Sequence, residues 1–150
     1  MNTLYLGQDG TQNKLVLSNL LVVGKTGSGR CNFLHRYIND LFYSYKPEEL
    51  RLILADPKNV IYSDQMPFQP LLFHITNQEQ FKKAMDWVSG EVDERLKLSE
   101  KRTPVLIIVE ELGEFMIADS NYAEIIVQKI VNNSEQTNIY LLLSTARADS

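Results

Sequence analysis

The alternation of short apolar runs with longer amphipathic stretches is what most constrains this chain. Residues 19–23, 50–55, 72–75, 105–109 and 138–144 read as strands, the fourth of them a continuous apolar run, Val-Leu-Ile-Ile-Val. After the first, Phe33, Leu34, Tyr37, Ile38, Leu41, Phe42 and Tyr45 recur at helical spacing. That helix is expected to stop near Lys46-Pro47, because proline disfavours helix in the residue before it. A longer helix places Phe81, Met85, Val88, Val92 and Leu96 on its inner face and carries Gly90 as a mild blemish. Thr76 and Glu79 have the spacing of a capping box at its start. A third helix covers roughly residues 122–131. Residues 4–6 and 14–17 flank Asp9-Gly10 and read as a hairpin, and 59–70 read as irregular. Strands alternating with helices predict an α/β fold with a mainly parallel sheet, covered on both faces.

Residues 1–150 suffice for one domain with a real core, and the apolar share is 44%. No apolar run approaches the ~20 residues that span a bilayer, and no signal peptide is visible. A single cysteine, Cys31, excludes an internal disulfide and a cysteine-built metal site, which fits a reducing, cytoplasmic setting. The net charge of −4 gives no global basic field for nucleic acid. Lys82, Lys83, Arg95, Lys97, Lys101 and Arg102 concentrate around the long helix, but Asp86, Glu91, Asp93, Glu94 and Glu100 are interleaved with them. That pattern reads as a solvated helix face before it reads as a DNA patch.

Two segments carry chemistry. Gly24-Lys25-Thr26-Gly27-Ser28-Gly29-Arg30-Cys31 lies between the first strand and the first helix. Glycines there let backbone N–H groups turn toward a polyphosphate, and the helix N-terminus favours the anion. The frame is that of G-x-x-x-x-G-K-[ST], with Arg30 at the lysine position and Cys31 at the hydroxyl position. The bland alternative is a glycine-rich turn with no ligand. The second segment is the apolar strand ending in Glu110-Glu111. In P-loop ATPases such a pair supports Mg²⁺ with the first acid and orients the attacking water with the second. The alternative is a solvated acidic helix start. Together the two segments favour a nucleotide site, with the phosphate bend opposite an acidic pair at a neighbouring strand's tip. Asp56 and Lys58 could share that edge of the sheet or simply end a strand. His35 and His74 have no partners at metal spacing and read as structural. Cys31 as a nucleophile is the weaker option, since no histidine can be placed beside it.

Five ordered segments resemble the motor core of FtsK/SpoIIIE-type DNA translocases. Leu50-Arg51-Leu52-Ile53-Leu54-Ala55-Asp56-Pro57-Lys58 is similar to that family's E-L-R-L-I-L-I-D-P-K. The run from Ser18 to Gly24 resembles its P-H-L-L-V-A-G, and Thr26-Gly27-Ser28-Gly29 matches its T-G-S-G. The strand into Glu110-Glu111-Leu112 resembles one ending D-E-L, and the run from Asn138 to Arg147 resembles G-I-H-L-I-L-A-T-Q-R.

The resemblance implies a three-layer, RecA-like P-loop fold, ATP and Mg²⁺ as ligands, a homo-oligomeric ring around duplex DNA, and a role in DNA segregation or transfer. It also implies that only about half of a motor region is covered, and that the parent protein could be membrane-anchored. Glu110 and Glu111 become the expected catalytic acids. Gly24, Lys25, Thr26, Gly27, Ser28, Gly29, Arg30 and Cys31 become the expected nucleotide cradle, and Cys31 with Glu110 the expected Mg²⁺ position.

Four departures oppose full activity. Arg30 is bulkier than lysine, Cys31 is a soft ligand, Glu110 is a methylene longer than aspartate, and Ala146 stands where the family's glutamine senses the γ-phosphate. Together they predict weak or absent Mg-ATP hydrolysis. The alternative function is a non-hydrolysing assembly module of a multi-domain secretion or conjugation motor.

Overall fold

The computed structural model describes residues 16–24, 29–46, 48–58, 71–99, 102–116 and 120–145. The expected hairpin lies largely outside them, and residues 16–19 carry no strand. The irregular stretch 59–70 is also outside.

Along the chain run β1 (Leu20–Val23), α1 (Arg30–Ser44), β2 (Arg51–Ala55), β3 (Leu71–Ile75) and α2 (Gln78–Leu98). There follow β4 (Val105–Glu110), α3 (Leu112–Met116), α4 (Ser120–Asn132), α5 (Ser134–Thr137) and β5 (Ile139–Thr145). The five strands form one sheet in the order β1-β5-β4-β2-β3, and every pairing is parallel. Three layers result, as the alternation predicts. The strand β5 stands between the phosphate-bend strand β1 and the acid-tipped strand β4. The two chemical segments are therefore one strand further apart than adjacent tips.

Period-two alternation sorts the core by face. Leu52, Leu54, Leu106, Ile108 and Leu142 pack with Leu34, Tyr37, Ile38 and Leu41 of α1. Ile53, Ala55, Val105, Ile107, Val109 and Leu141 face the other way, onto Phe81, Met85, Val88 and Val92 of α2 and Ile126 and Ile130 of α4. All six residues of β4 are buried, as a central strand covered on both sides requires. Each fully buried Leu or Ile contributes roughly 1.5–3 kcal/mol.

Three local readings need correction. The cap of α2 is Asn77, not Thr76: its side chain accepts from the Gln80 amide at 2.9 Å. Gln80 Oε1 takes the amide of Thr76, the residue before the cap, at 2.8 Å, so the cap sits one residue later than expected. Glu79 instead meets Lys83 one turn on, fully in solvent. Leu96 is 38% exposed and has left the inner face, where Arg95 takes over at 4%. Arg95 is thus no part of a solvated basic face. Its guanidinium donates to Glu91 at 3.0 Å and to the backbone oxygens of Thr137 and Thr103 at 2.8 and 2.9 Å.

Candidate functional site

The strand tips converge at the C-terminal edge of the sheet, where open α/β folds bind ligands. Register fixes who meets whom. Ala55 is paired with Val109, so Asp56 comes abreast of Glu110, and Glu110 is itself paired with Ser144. Alternation continues Leu54, Ile108 and Leu142 into Asp56, Glu110 and Ser144 on the α1 face. This polar row crosses three strands and is buried throughout, at 0%, 3% and 0% exposure. Of the expected catalytic pair, Glu110 therefore belongs to the row, while Glu111 is the first residue beyond the strand.

Glu111 has a left-handed backbone, φ 59°. That conformation costs a side-chain-bearing residue roughly 1 kcal/mol. Its amide donates to Ser144 O at 2.7 Å, and its own carbonyl accepts from Glu114 at the start of α3 at 3.0 Å. The sharp turn thus ends β4, opens α3, and hands the glutamate side chain to the tip of β5. There the Thr145 hydroxyl donates to Glu111 Oε2 at 3.4 Å.

On the other side of β5, the Gly24 amide donates to Thr145 O at 3.2 Å. Gly24 follows β1, and Gly29, just before α1, has a φ of 95° that glycine alone adopts cheaply. Helix α1 then begins with its first bond from the Phe33 amide to Gly29 O at 2.9 Å. Among the described residues no side chain caps this helix start, and no acid lies in its first turn. An N-terminus left in that state suits an anionic ligand.

Among the expected cradle residues, Lys25, Thr26, Gly27 and Ser28 lie outside the described residues, as does Ala146. Arg30 and Cys31 are described as the first turn of α1 through their backbone only. Gly24, Gly29, Glu110 and Glu111 are brought to one edge of the sheet. Asp56 joins them, while Lys58 is exposed on the turn that follows. Two contributors were missed from sequence, Ser144 and Thr145. Their advance signal was their place in the run from Asn138 to Arg147, where Thr145 falls on the threonine of the family's A-T-Q-R.

At the expected Mg²⁺ position the donor chemistry fits that ion poorly. Cys31 offers sulfur where Mg²⁺ requires oxygen. Among the described residues no three His, Cys, Asp or Glu side chains gather as a metal cluster. No helix among the described residues is long and apolar enough to cross a membrane.

Comparisons with known proteins match this layout. The model of the FtsK/SpoIIIE family matches residues 3–101. The DNA translocase FtsK of Clostridium tetani is 26% identical over 95% of this chain, and that of Helicobacter pylori strain J99 is 26% identical over 97%. The chain spans 23% and 20% of those two relatives. Among solved structures, the cytoplasmic domain of the Thermomonospora curvata type VII secretion ATPase EccC superposes with a TM-score of 0.74 at 15% identity, covering 87% of this chain and 16% of that one. EssC (ATPases 2 and 3) from Geobacillus thermodenitrificans gives 0.59 at 12% identity, over 87% of this chain and 28% of that one. These likenesses establish the RecA-like P-loop fold.

Proposed function

The chain belongs to the FtsK/SpoIIIE family, and from that premise we propose that it is the ATP-binding core of a DNA-translocating motor with slow hydrolysis. The observation that carries the reading is the pair of backbone bonds at the tip of β5. Consecutive carbonyls, Ser144 O and Thr145 O, take the amides of Glu111 and Gly24. The start of the phosphate bend and the second acid are thereby built onto one strand end.

In this reading the amides of the bend and of the α1 N-terminus bind the phosphates of ATP, and Arg30 adds positive charge. Glu111 orients the attacking water and accepts its proton. Glu110 and Cys31 occupy the positions from which relatives hold Mg²⁺, which when bound neutralises charge on the phosphates. Because a thiol replaces the hydroxyl there, the metal is held poorly and turnover is slow. A ring of copies around duplex DNA is the corresponding assembly, and the 150-residue chain is its motor-core segment.

The test is ATP hydrolysis with duplex DNA, parent against Glu111→Gln. The expected outcome is a slow parent rate that falls by about 100-fold in the variant. Equal rates would remove Glu111 from the mechanism.

The departures at Arg30, Cys31, Glu110 and Ala146 favour a second reading, a non-hydrolysing module serving as an assembly surface in a larger motor. Calorimetric titration with Mg-ATP separates the two. Micromolar, Mg-dependent binding counts against the second reading. Binding that arises only in an Arg30→Lys, Cys31→Ser double variant supports it.

A further inference from the structure

One residue touches both halves of the site. Thr145 takes the Gly24 amide on its backbone oxygen at 3.2 Å and gives its hydroxyl to Glu111 Oε2 at 3.4 Å. Its position is fixed twice over. Its Cα is paired with Val23 on one side, and the residue before it is paired with Glu110 on the other. The flanking Ser144 O holds the Glu111 amide at 2.7 Å, so both the backbone and the side chain of Glu111 are referred to the same strand end. The left-handed turn at Glu111 is what brings its carboxylate back to that end, because an extended residue would carry it onward past the sheet.

We propose that Thr145 is a positioning residue: its hydroxyl holds the Glu111 carboxylate at the tip of β5, beside the phosphate bend that its carbonyl anchors. The role rests on the reading of Glu111 as the base. A carboxylate side chain beyond a strand end has several rotamers, and one hydroxyl donor selects among them. At 3.4 Å the contact is longer than an ordinary O–H···O hydrogen bond. Catalytic hydrogen bonds are commonly long without ligand and shorten when the site closes. The β-branched Thr145 also suits its strand, so a purely structural role has to be separated from positioning.

The test compares the parent chain with Thr145→Val, which keeps shape and branching but removes the hydroxyl, and Thr145→Ser, which keeps the hydroxyl. With duplex DNA and ATP, Thr145→Val lowers kcat by about 5-fold, as loss of one positioning hydrogen bond would, with KM within about 2-fold. Thr145→Ser restores kcat to within about 2-fold of the parent. A second readout does not depend on turnover. The ¹³C resonance of the Glu111 side-chain carboxyl moves in Thr145→Val and stays in Thr145→Ser. If that resonance is unmoved in Thr145→Val, or kcat falls equally in both variants, the positioning role is overturned. If Glu111→Gln slows the parent while Thr145→Val does not, the positioning role alone fails. If the parent and Glu111→Gln turn over equally, or neither turns over, the proposed function fails and takes the role with it.

Discussion

The two edges of the sheet both bury polar groups, and they use them in opposite ways. At the N-terminal edge, Arg95 ties α2 to the residues that lead into β4 and β5 through Glu91, Thr103 O and Thr137 O. Asn19 does the same for β1, accepting from the Leu141 amide at 2.9 Å and donating to Ser134 Oγ at 3.1 Å. Apart from the Arg95–Glu91 pair within α2, each of these contacts links separate segments of the chain, and each pairs a donor with an acceptor. At the C-terminal edge, two acids, Asp56 and Glu110, come abreast on neighbouring strands in full burial, and Glu111 holds a strained backbone beside them. A left-handed glutamate does not stabilise a fold. One edge ties elements together, and the other gathers the acids of the candidate site.

Breaking the supporting edge has the largest expected effect. Arg95→Ala leaves Glu91 to Arg102 alone, at 3.4 Å, and strips two backbone oxygens of their donor. Urea unfolding is expected to show a loss of roughly 3 kcal/mol. A loss under about 1 kcal/mol would mean that the clamp contributes little beyond packing.

Next comes alkaline pH. Burial, with Tyr45 beside it, pushes the Tyr37 phenol up from 10.0 to about 12. Tyr45 and Tyr140 on the same face are also raised, chiefly by burial. The unfolded chain then loses its phenolic protons before the folded one does. Stability is therefore complete below pH 10 and falls as pH rises from 10 toward 12, by roughly 2 kcal/mol for Tyr37 alone. A Tyr37→Phe variant should show a shallower fall over that window, measured by denaturant unfolding at each pH. An unchanged slope would place the alkaline sensitivity elsewhere.

The smallest effect sharpens the other side of the contrast. Glu111→Asn puts a residue tolerant of the left-handed region at φ 59°. Thermal unfolding should show a gain of about 0.5–1 kcal/mol while hydrolysis is lost. A loss of stability instead would show that the contact with Thr145 supports the fold as well as the chemistry.

The sheet and its helices were legible because burial on two faces writes itself into composition. Residues 105–109 could hardly be anything but a central strand, and the α1 stripe from Phe33 to Tyr45 repeats at 3.6 residues. The short helices α3 and α5 escaped, since one or two turns leave no periodicity to read. The capping register at Asn77 slipped by one because Thr76, Asn77, Glu79 and Gln80 offer two overlapping boxes of the same chemistry. Arg95 was grouped with solvated lysines because charge pattern says nothing about which arginine turns inward. At the site, Gly24, Glu110 and Glu111 stood out by residue type. Thr145 did not, because its significance comes from strand order, and the placement of β5 between β1 and β4 is a long-range outcome with no local mark.

That placement also bears on how the molecule is made. Among the described residues Leu20 pairs with Leu142. During synthesis from the N-terminus, β1 emerges long before β5, the strand it pairs with. Pairing across such a sequence distance is slow. The apolar β1 therefore waits without this neighbour, and the edge that carries Gly24 and Glu111 is assembled only when β5 arrives.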